Sequence, residues 1–294
     1  MYNIDKLHEA VLQKGHVCVG LDTAPEYLPK KARKENLSDA ENVFLYNQAI
    51  VDATIDVCAC FKVQIAYYEA LGISGLETYV KTLRYIQEKK GIVIADIKRG
   101  DIADTAERYA MAHFEGEFSA DFVTLSPYMG MDAISPWLTY VERKGKGAFV
   151  LMRTSNPGMR DFEYQELKSG GRLYDAVGEK LSELADRYMG KHGYGAFGAV
   201  VGCTEQEEAS AIREKRKNLF FLIPGYGAQG GAAYDAALLL HNGNGGVVNS
   251  SRAILKAWAK NPPENADLDY AVLEARKAVI EMRDAIRCAI RVSV

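Results

Sequence analysis

The run Gly91-Ile92-Val93-Ile94-Ala95-Asp96-Ile97-Lys98-Arg99-Gly100-Asp101 begins apolar and ends in charge. Residues two apart on a strand share a face, so Asp96 and Lys98 are expected to project together, with Asp101 in the loop that follows. Two earlier apolar runs end the same way. Asp22 follows Val17-Cys18-Val19-Gly20-Leu21, and Lys62 lies within Cys60-Phe61-Lys62-Val63. Carboxylates and ammonium groups clustered at one set of strand ends hold one another in fixed positions and protonation states, which suits a reaction that develops negative charge on its substrate. Charged residues near strand ends also form purely structural ion pairs, and for any one of these positions that is the simpler reading. Asp22, Lys62, Asp96, Lys98 and Asp101 taken together favour a functional array.

A second constellation lies late in the chain. Pro224-Gly225-Tyr226-Gly227-Ala228-Gln229-Gly230-Gly231 contains a G-x-G-x-x-G match. A dinucleotide fingerprint should follow the first strand of a βαβ unit and be answered by an acid about 20 residues later, and neither condition holds here. Exposed backbone N–H groups in such a loop can instead cradle a phosphate, and Arg252, in Asn249-Ser250-Ser251-Arg252, could grip the same group with a fork of hydrogen bonds. Ordinary glycine turns and a solvent-facing arginine are the plainer alternative.

The elements that must position these groups follow a regular rhythm. Apolar, β-rich runs occur at His16 to Leu21, Cys58 to Gln64, Gly91 to Ile97, Asp121 to Leu125, Ala148 to Met152, Ala196 to Val201, Leu219 to Ile223 and Gly246 to Asn249. Helical periodicity fills segments between them, as at Val43 to Ile55, Leu76 to Lys89, Leu173 to Met189 and Glu205 to Lys217. Eight near-continuous apolar strands alternating with amphipathic helices predict an α/β fold, a (β/α)8 TIM barrel. Barrels of this kind carry their sites at the carboxyl ends of the strands, often with a phosphate site after strands seven and eight. A helix around Asp5 to Gln13 is expected to close the barrel bottom, and a long helix from Leu268 to Val292 to close the ring. With no linker or repeat in view, residues 1–294 are expected to form one domain. The Gly-, Ser- and Asn-rich stretch Thr154 to Gly171 follows the fifth strand as a candidate substrate cover.

Composition narrows the partners. Of the 294 residues 48% are hydrophobic and 26% charged, which suits a packed globular protein. The 36 basic and 39 acidic residues are interspersed and sum to −3, leaving no basic face for a nucleic acid. No apolar run approaches the roughly 20 residues that span a bilayer, and Met1 to Lys14 lacks a signal-peptide core, so a cytoplasmic protein with no membrane partner is expected. The five cysteines, Cys18, Cys58, Cys60, Cys203 and Cys288, read as free thiols, four of them in or beside apolar segments, and their spacing does not match a zinc site.

The run Asp96-Ile97-Lys98-Arg99-Gly100-Asp101-Ile102-Ala103-Asp104-Thr105 resembles the D-x-K-x-x-D-I-x-x-T signature of the orotidine 5'-monophosphate decarboxylases. Also similar to that family, and in the same order, are Gly20-Leu21-Asp22, Phe61-Lys62-Val63-Gln64, Thr154-Ser155-Asn156-Pro157-Gly158, the glycine run at 224–231 and Ser251-Arg252. The first motif alone is shared with sugar-phosphate lyases of the superfamily, whereas the ordered set spans the chain. The resemblance implies a homodimeric, cofactor- and metal-free enzyme that converts orotidine 5'-phosphate to uridine 5'-phosphate and CO2 in the last step of de novo UMP synthesis. It implies that Asp96, Lys98 and Asp101 form the catalytic array, with Asp101 and Thr105 crossing into the partner's site. Asp22 and Lys62 would hold ribose hydroxyls, Ser155 the pyrimidine edge, and Gln229, Tyr226 and Arg252 the phosphate. The chain departs from shorter family members in carrying Ser251, where they have Gly, and an added stretch from Arg160 to Gly171.

Loss of CO2 from C6 of the pyrimidine leaves an electron pair in the ring plane, where the ring cannot delocalise it. A fixed Lys98 ammonium would stabilise that pair and then protonate it. Two alternatives stand beside this reading: a magnesium-dependent sugar-phosphate aldolase or decarboxylase with acidic metal ligands, and a catalytically silent nucleotide-binding barrel.

Overall fold

The apolar runs become eight strands: β1 (Val17–Gly20), β2 (Cys60–Gln64), β3 (Val93–Arg99), β4 (Phe122–Leu125), β5 (Gly147–Arg153), β6 (Phe197–Val201), β7 (Phe221–Ile223) and β8 (Gly246–Ser250). All pair in parallel and in chain order, and β1 also pairs with β8, so the sheet closes into the expected barrel. The computed structural model describes residues 1–227 and 232–293.

Parallel strands covered on both faces must be apolar on both faces, and these are buried nearly throughout. One side-chain set, including Cys18, Cys60, Ile94, Phe122, Phe149, Leu222 and Val247, packs together with Ile4, Leu7 and Val11 of the helix Asn3–Lys14. These strand residues therefore fill the barrel interior, and the amino-terminal helix plugs its lower end as its amphipathic pattern requires. The plug is pinned by polar contacts: the Asn3 amide donates to the Asp121 carboxylate at 3.2 Å, and the Lys191 N–H donates to Asp5 at 2.8 Å.

The alternate strand residues, among them Val17, Val19, Phe61, Val63, Val93 and Ala95, join the larger apolar layer beneath the helices. The helix Asp39–Thr54 starts at a capping box between Ser38 and Glu41, which satisfies two of its free N–H groups. The carboxyl-terminal helix Leu268–Ser293 packs against Asp39–Thr54 on one side and Ala233–Leu238 on the other, closing the ring. Among the described residues no helix is long and apolar enough to cross a membrane. Cys18, Cys58, Cys60 and Cys203 are buried free thiols, and Cys288 is exposed on the last helix.

Two segments differ from expectation. Strand β3 runs on through Lys98 to Arg99, and its pairing with β4 shifts register between Ala95 and Arg99. The stretch 154–171 is not an open loop: it contains a short helix, Met159–Phe162, and its end folds back through an antiparallel bridge between Glu166 and Arg172.

Candidate active site

Asp96 points into the barrel where alternation puts it, and its neighbours arrive by register. Lys62 of β2 pairs with Gly20 of β1 and with Ile94 of β3, one strand step below Asp96. The Lys62 ammonium reaches Asp22 Oδ1 at 2.8 Å and Asp96 Oδ2 at 3.0 Å, bridging the carboxylates of two strand ends. The other Asp96 oxygen, Oδ1, lies 2.7 Å from Lys98 Nζ and accepts the Thr124 hydroxyl at 2.8 Å.

Lys98 is placed by more than alternation. The backbone N–H groups of Ile97 and Lys98 both donate to the Thr124 hydroxyl oxygen at 2.9 Å, and Lys98 adopts φ +44°. A non-glycine residue held in the left-handed region costs about 1–3 kcal/mol, so the surrounding contacts must impose it. The distortion coincides with the register shift in β3 and leaves the Lys98 side chain 47% exposed while its Asp96 partner is 7% exposed. A buried carboxylate thus anchors an ammonium that faces the cavity.

The charge chain continues across the barrel seam. The Ser251 hydroxyl donates to Asp22 Oδ2 at 2.9 Å, and the Asn249 amide Nδ2 lies 3.4 Å from Ser251 Oγ. The single Ser251 proton is committed to a carboxylate, so Asn249 must donate through its NH2 group. Its buried Oδ1 then has no partner among the described residues. Gly20 makes this approach possible, because a Cβ there would lie 1.9 Å from Ser251 Oγ.

Electrostatics fix the protonation states. Burial alone would raise the Asp96 carboxyl, but Lys62 and Lys98 outweigh it and hold the group well below the usual carboxylate range. Burial alone would lower Lys62, yet Asp22 and Asp96 outweigh it and push the ammonium above the ordinary lysine value. Both groups are therefore charged at neutral pH. The space between Asp22 and Asp96 that a divalent cation would need is filled by Lys62, and among the described residues no group of three His, Cys, Asp or Glu side chains is placed to hold a metal.

Two adjoining cavities open on this array. One, of about 310 Å³, is lined by Asp22, Lys62, Asp96, Lys98, Tyr226 and Arg252, so strand ends one to three and seven to eight meet there. The other, of about 250 Å³, shares Lys62, Asp96 and Lys98, adds Ser155 on one wall, and has an apolar floor of Leu151, Val200 and Leu222. Asp101 and Thr105 line neither. Asp101 accepts the Ile102 N–H at 2.8 Å on the rim, between the left-handed residues Lys98 and Ala103, and Thr105 is exposed one helical turn on. Gln229 lies outside the described residues.

A profile described as the orotidine 5'-phosphate decarboxylase / HUMPS family matches residues 15–267. The chain belongs to that family. Within the orotidine 5'-phosphate decarboxylase / HUMPS family, a Clostridium perfringens protein named orotidine 5'-phosphate decarboxylase is 57% identical over 286 residues, 97% of this chain and 98% of that one. A Clostridium kluyveri protein of the same name is 55% identical over 283 residues, 96% of each. Among solved structures, the Leishmania donovani OMP decarboxylase superposes with a TM-score of 0.78 at 27% identity, covering 99% of both chains.

For this family member, sequence reasoning overlooked several residues of the cavity. Thr124 orients Asp96, and only its polarity within the apolar run Phe122–Leu125 signals it. Tyr27, Gln64, Tyr67 and Asn249 also line the larger cavity. Gln64 carries a legible signal as a polar residue two positions from Lys62 on the same strand, and Asn249 as one near the end of β8, three positions before Arg252; Tyr27 ends the short 3-10 helix Pro25–Tyr27, Tyr67 lies in the helix Ile65–Glu69, and neither carries one.

Proposed function

We propose that this chain converts orotidine 5'-phosphate to uridine 5'-phosphate and CO2, with Lys98 stabilising the C6 carbanion and then protonating it. The observation that carries the reading is the ammonium of Lys98, fixed at 2.7 Å by a buried Asp96 and turned into a cavity that Asp22, Lys62 and Arg252 also line. A unit charge about 4 Å from a developing carbanion contributes about 4 kcal/mol at an effective dielectric near 20, against about 1 kcal/mol in bulk water. Each 1.4 kcal/mol is about tenfold in rate, so a water-poor cavity is what gives the ammonium its effect.

In this reading Asp22 and Lys62 hold the ribose hydroxyls, Ser155 the pyrimidine edge, and Tyr226, Gln229 and Arg252 the phosphate. Phosphate binding remote from C6 would supply energy for ordering the loops over the reacting carbon. The reading takes residues 1–294 as one domain acting in pairs, with Asp101 and Thr105 contributed to the partner's cavity. The rim position of Asp101 supports this, as do the exposed apolar side chains Ile102, Met111, Tyr128, Met129 and Met131 on segments following β3 and β4. Such an apolar rim fits a second copy of the chain.

The test is the loss of orotidine 5'-phosphate absorbance in buffer containing EDTA. Turnover is expected to be unaffected by the chelator and abolished in Lys98→Ala, while uridine 5'-phosphate still binds. Turnover only with added magnesium, or substantial turnover without the amine, would overturn the assignment.

A further inference from the structure

The stretch from Arg160 to Gly171 reaches back to the wall of the smaller cavity through one side chain. Glu163 follows the short helix Met159–Phe162, where its N–H donates to Met159 O at 2.8 Å and its carbonyl accepts the Tyr174 N–H at 3.1 Å. Its backbone is thereby held from both sides. Oε2 accepts the backbone N–H of Thr154 at 2.8 Å, and Oε1 accepts the Thr154 hydroxyl at 2.7 Å. The Asn156 amide oxygen lies 2.8 Å from the same hydroxyl. Thr154, Ser155 and Asn156 together form one wall of that cavity.

The stretch itself is anchored at a distance from the cavity. Tyr164 and Arg172 both bind the Glu208 carboxylate, the Arg172 guanidinium lies 4.5 Å from the Tyr164 ring centre, and Arg160 pairs with Glu205 at 3.0 Å. These contacts join the stretch to the start of the helix Gln206–Lys215 that follows β6. On the opposite side, the Gly202 N–H donates to Arg153 O at 2.8 Å, and the fully buried Arg153 guanidinium donates to Gly202 O. A Cβ on Gly202 would lie 2.7 Å from Ser155 Cβ, so that glycine lets Ser155 seat against β6. The Thr204 hydroxyl donates to Ser155 O at 3.4 Å.

We propose that Glu163 is a positioning residue for the base: its carboxylate locks Thr154 and so aims Ser155 at the pyrimidine edge, making the added stretch a bracket that serves substrate recognition. The proposal rests on the reading of Ser155 given above. A carboxylate can accept both Thr154 donors at once, whereas a glutamine offers one acceptor and can face the Thr154 hydroxyl with its NH2 group only when that hydroxyl turns its proton to Asn156 Oδ1. Loss of a positioned hydrogen bond weakens binding about tenfold. That loss falls on ligands that carry the base and spares those that carry only the sugar phosphate.

The experiment compares dissociation constants of uridine 5'-phosphate and ribose 5-phosphate, by calorimetry, for the parent chain, Glu163→Gln, Glu163→Ala and Ser155→Ala. Glu163→Ala is expected to weaken uridine 5'-phosphate about tenfold and leave ribose 5-phosphate within about twofold, with Glu163→Gln between parent and alanine. Equal weakening of both ligands, or unchanged binding of the nucleotide, overturns the positioning role. Should the alanine variant fail to fold, the near-isosteric glutamine variant decides by the same ratio. A selective loss in Ser155→Ala without one in the Glu163 variants overturns the bracket alone. The absence of a selective loss in Ser155→Ala overturns the underlying reading of Ser155.

Discussion

Asp96 and Lys98 sit 2.7 Å apart at opposite levels of the same cavity, the carboxylate buried beneath and the ammonium exposed above it. Two residues apart on a strand, they share a face one side-chain layer apart. The register shift in β3 and the left-handed backbone of Lys98 fall at that step, where the buried acid holds the amine without occupying the space in front of it. The second oxygen of Asp96 binds Lys62, which in turn holds Asp22. One carboxylate therefore fixes two cations, and its removal should be felt in both stability and chemistry.

Asp96→Asn is expected to cost roughly 3 kcal/mol of stability at pH 7, at the low end for a broken buried ion pair because Lys62 keeps Asp22. Turnover should fall at least about 100-fold as Lys98 loses its anchor. The sign of the pH dependence follows from the depressed Asp96 carboxyl. Its contribution is complete above the ordinary aspartate value of 3.8 and fades as the pH falls through the lower folded-state value. Denaturant unfolding from pH 7 to pH 2 should show parent and variant converging only below about pH 4. A constant gap throughout, or convergence already near pH 6, would contradict the charge assignment.

Gly20→Ala tests the seam between β1 and β8. The added methyl would lie 1.9 Å from Ser251 Oγ and 3.0 Å from Asn249 Oδ1, so Ser251 must leave Asp22. Overpacking of this kind costs about 1–3 kcal/mol, and the released Asp22 should raise KM about tenfold. The double variant Gly20→Ala, Ser251→Gly should recover most of the stability, because it deletes the atoms in collision. Thermal unfolding and steady-state kinetics on the parent and the two variants check this, and a double variant no more stable than Gly20→Ala alone would place the clash elsewhere.

Much of this site is legible in the sequence because a barrel converts alternation into position. Once Cys60 and Ile94 face the interior, Lys62 and Asp96 must do so too, and strand register brings them to neighbouring levels. The depth of Lys98 is not legible, since it depends on a bulge set by the Thr124 hydroxyl, 26 residues away. The order of the stretch 160–171 is not legible either, because it comes from pairs such as Tyr164 and Glu208, 44 residues apart, which no local pattern announces. Asp101 is a different case. The charge spacing suggested an array around Lys98, whereas within one chain the Asp101 carboxylate turns to the Ile102 N–H on the rim.

That rim position makes a quantitative prediction about pairs of chains. If Asp101 completes the partner's cavity, each site of a homodimer takes Lys98 from one chain and Asp101 from the other. Lys98→Ala and Asp101→Ala proteins, each inactive alone, would form mixed dimers with one intact site and one doubly defective site. With random exchange about half of the dimers are mixed, so activity should recover to about one quarter of the parent value. The measurement is orotidine 5'-phosphate turnover after denaturation and joint refolding of equimolar variants, with mixed dimers verified by differential tagging. Were Asp101 to act within its own chain, every site would retain one defect, and the verified mixed dimers would stay inactive.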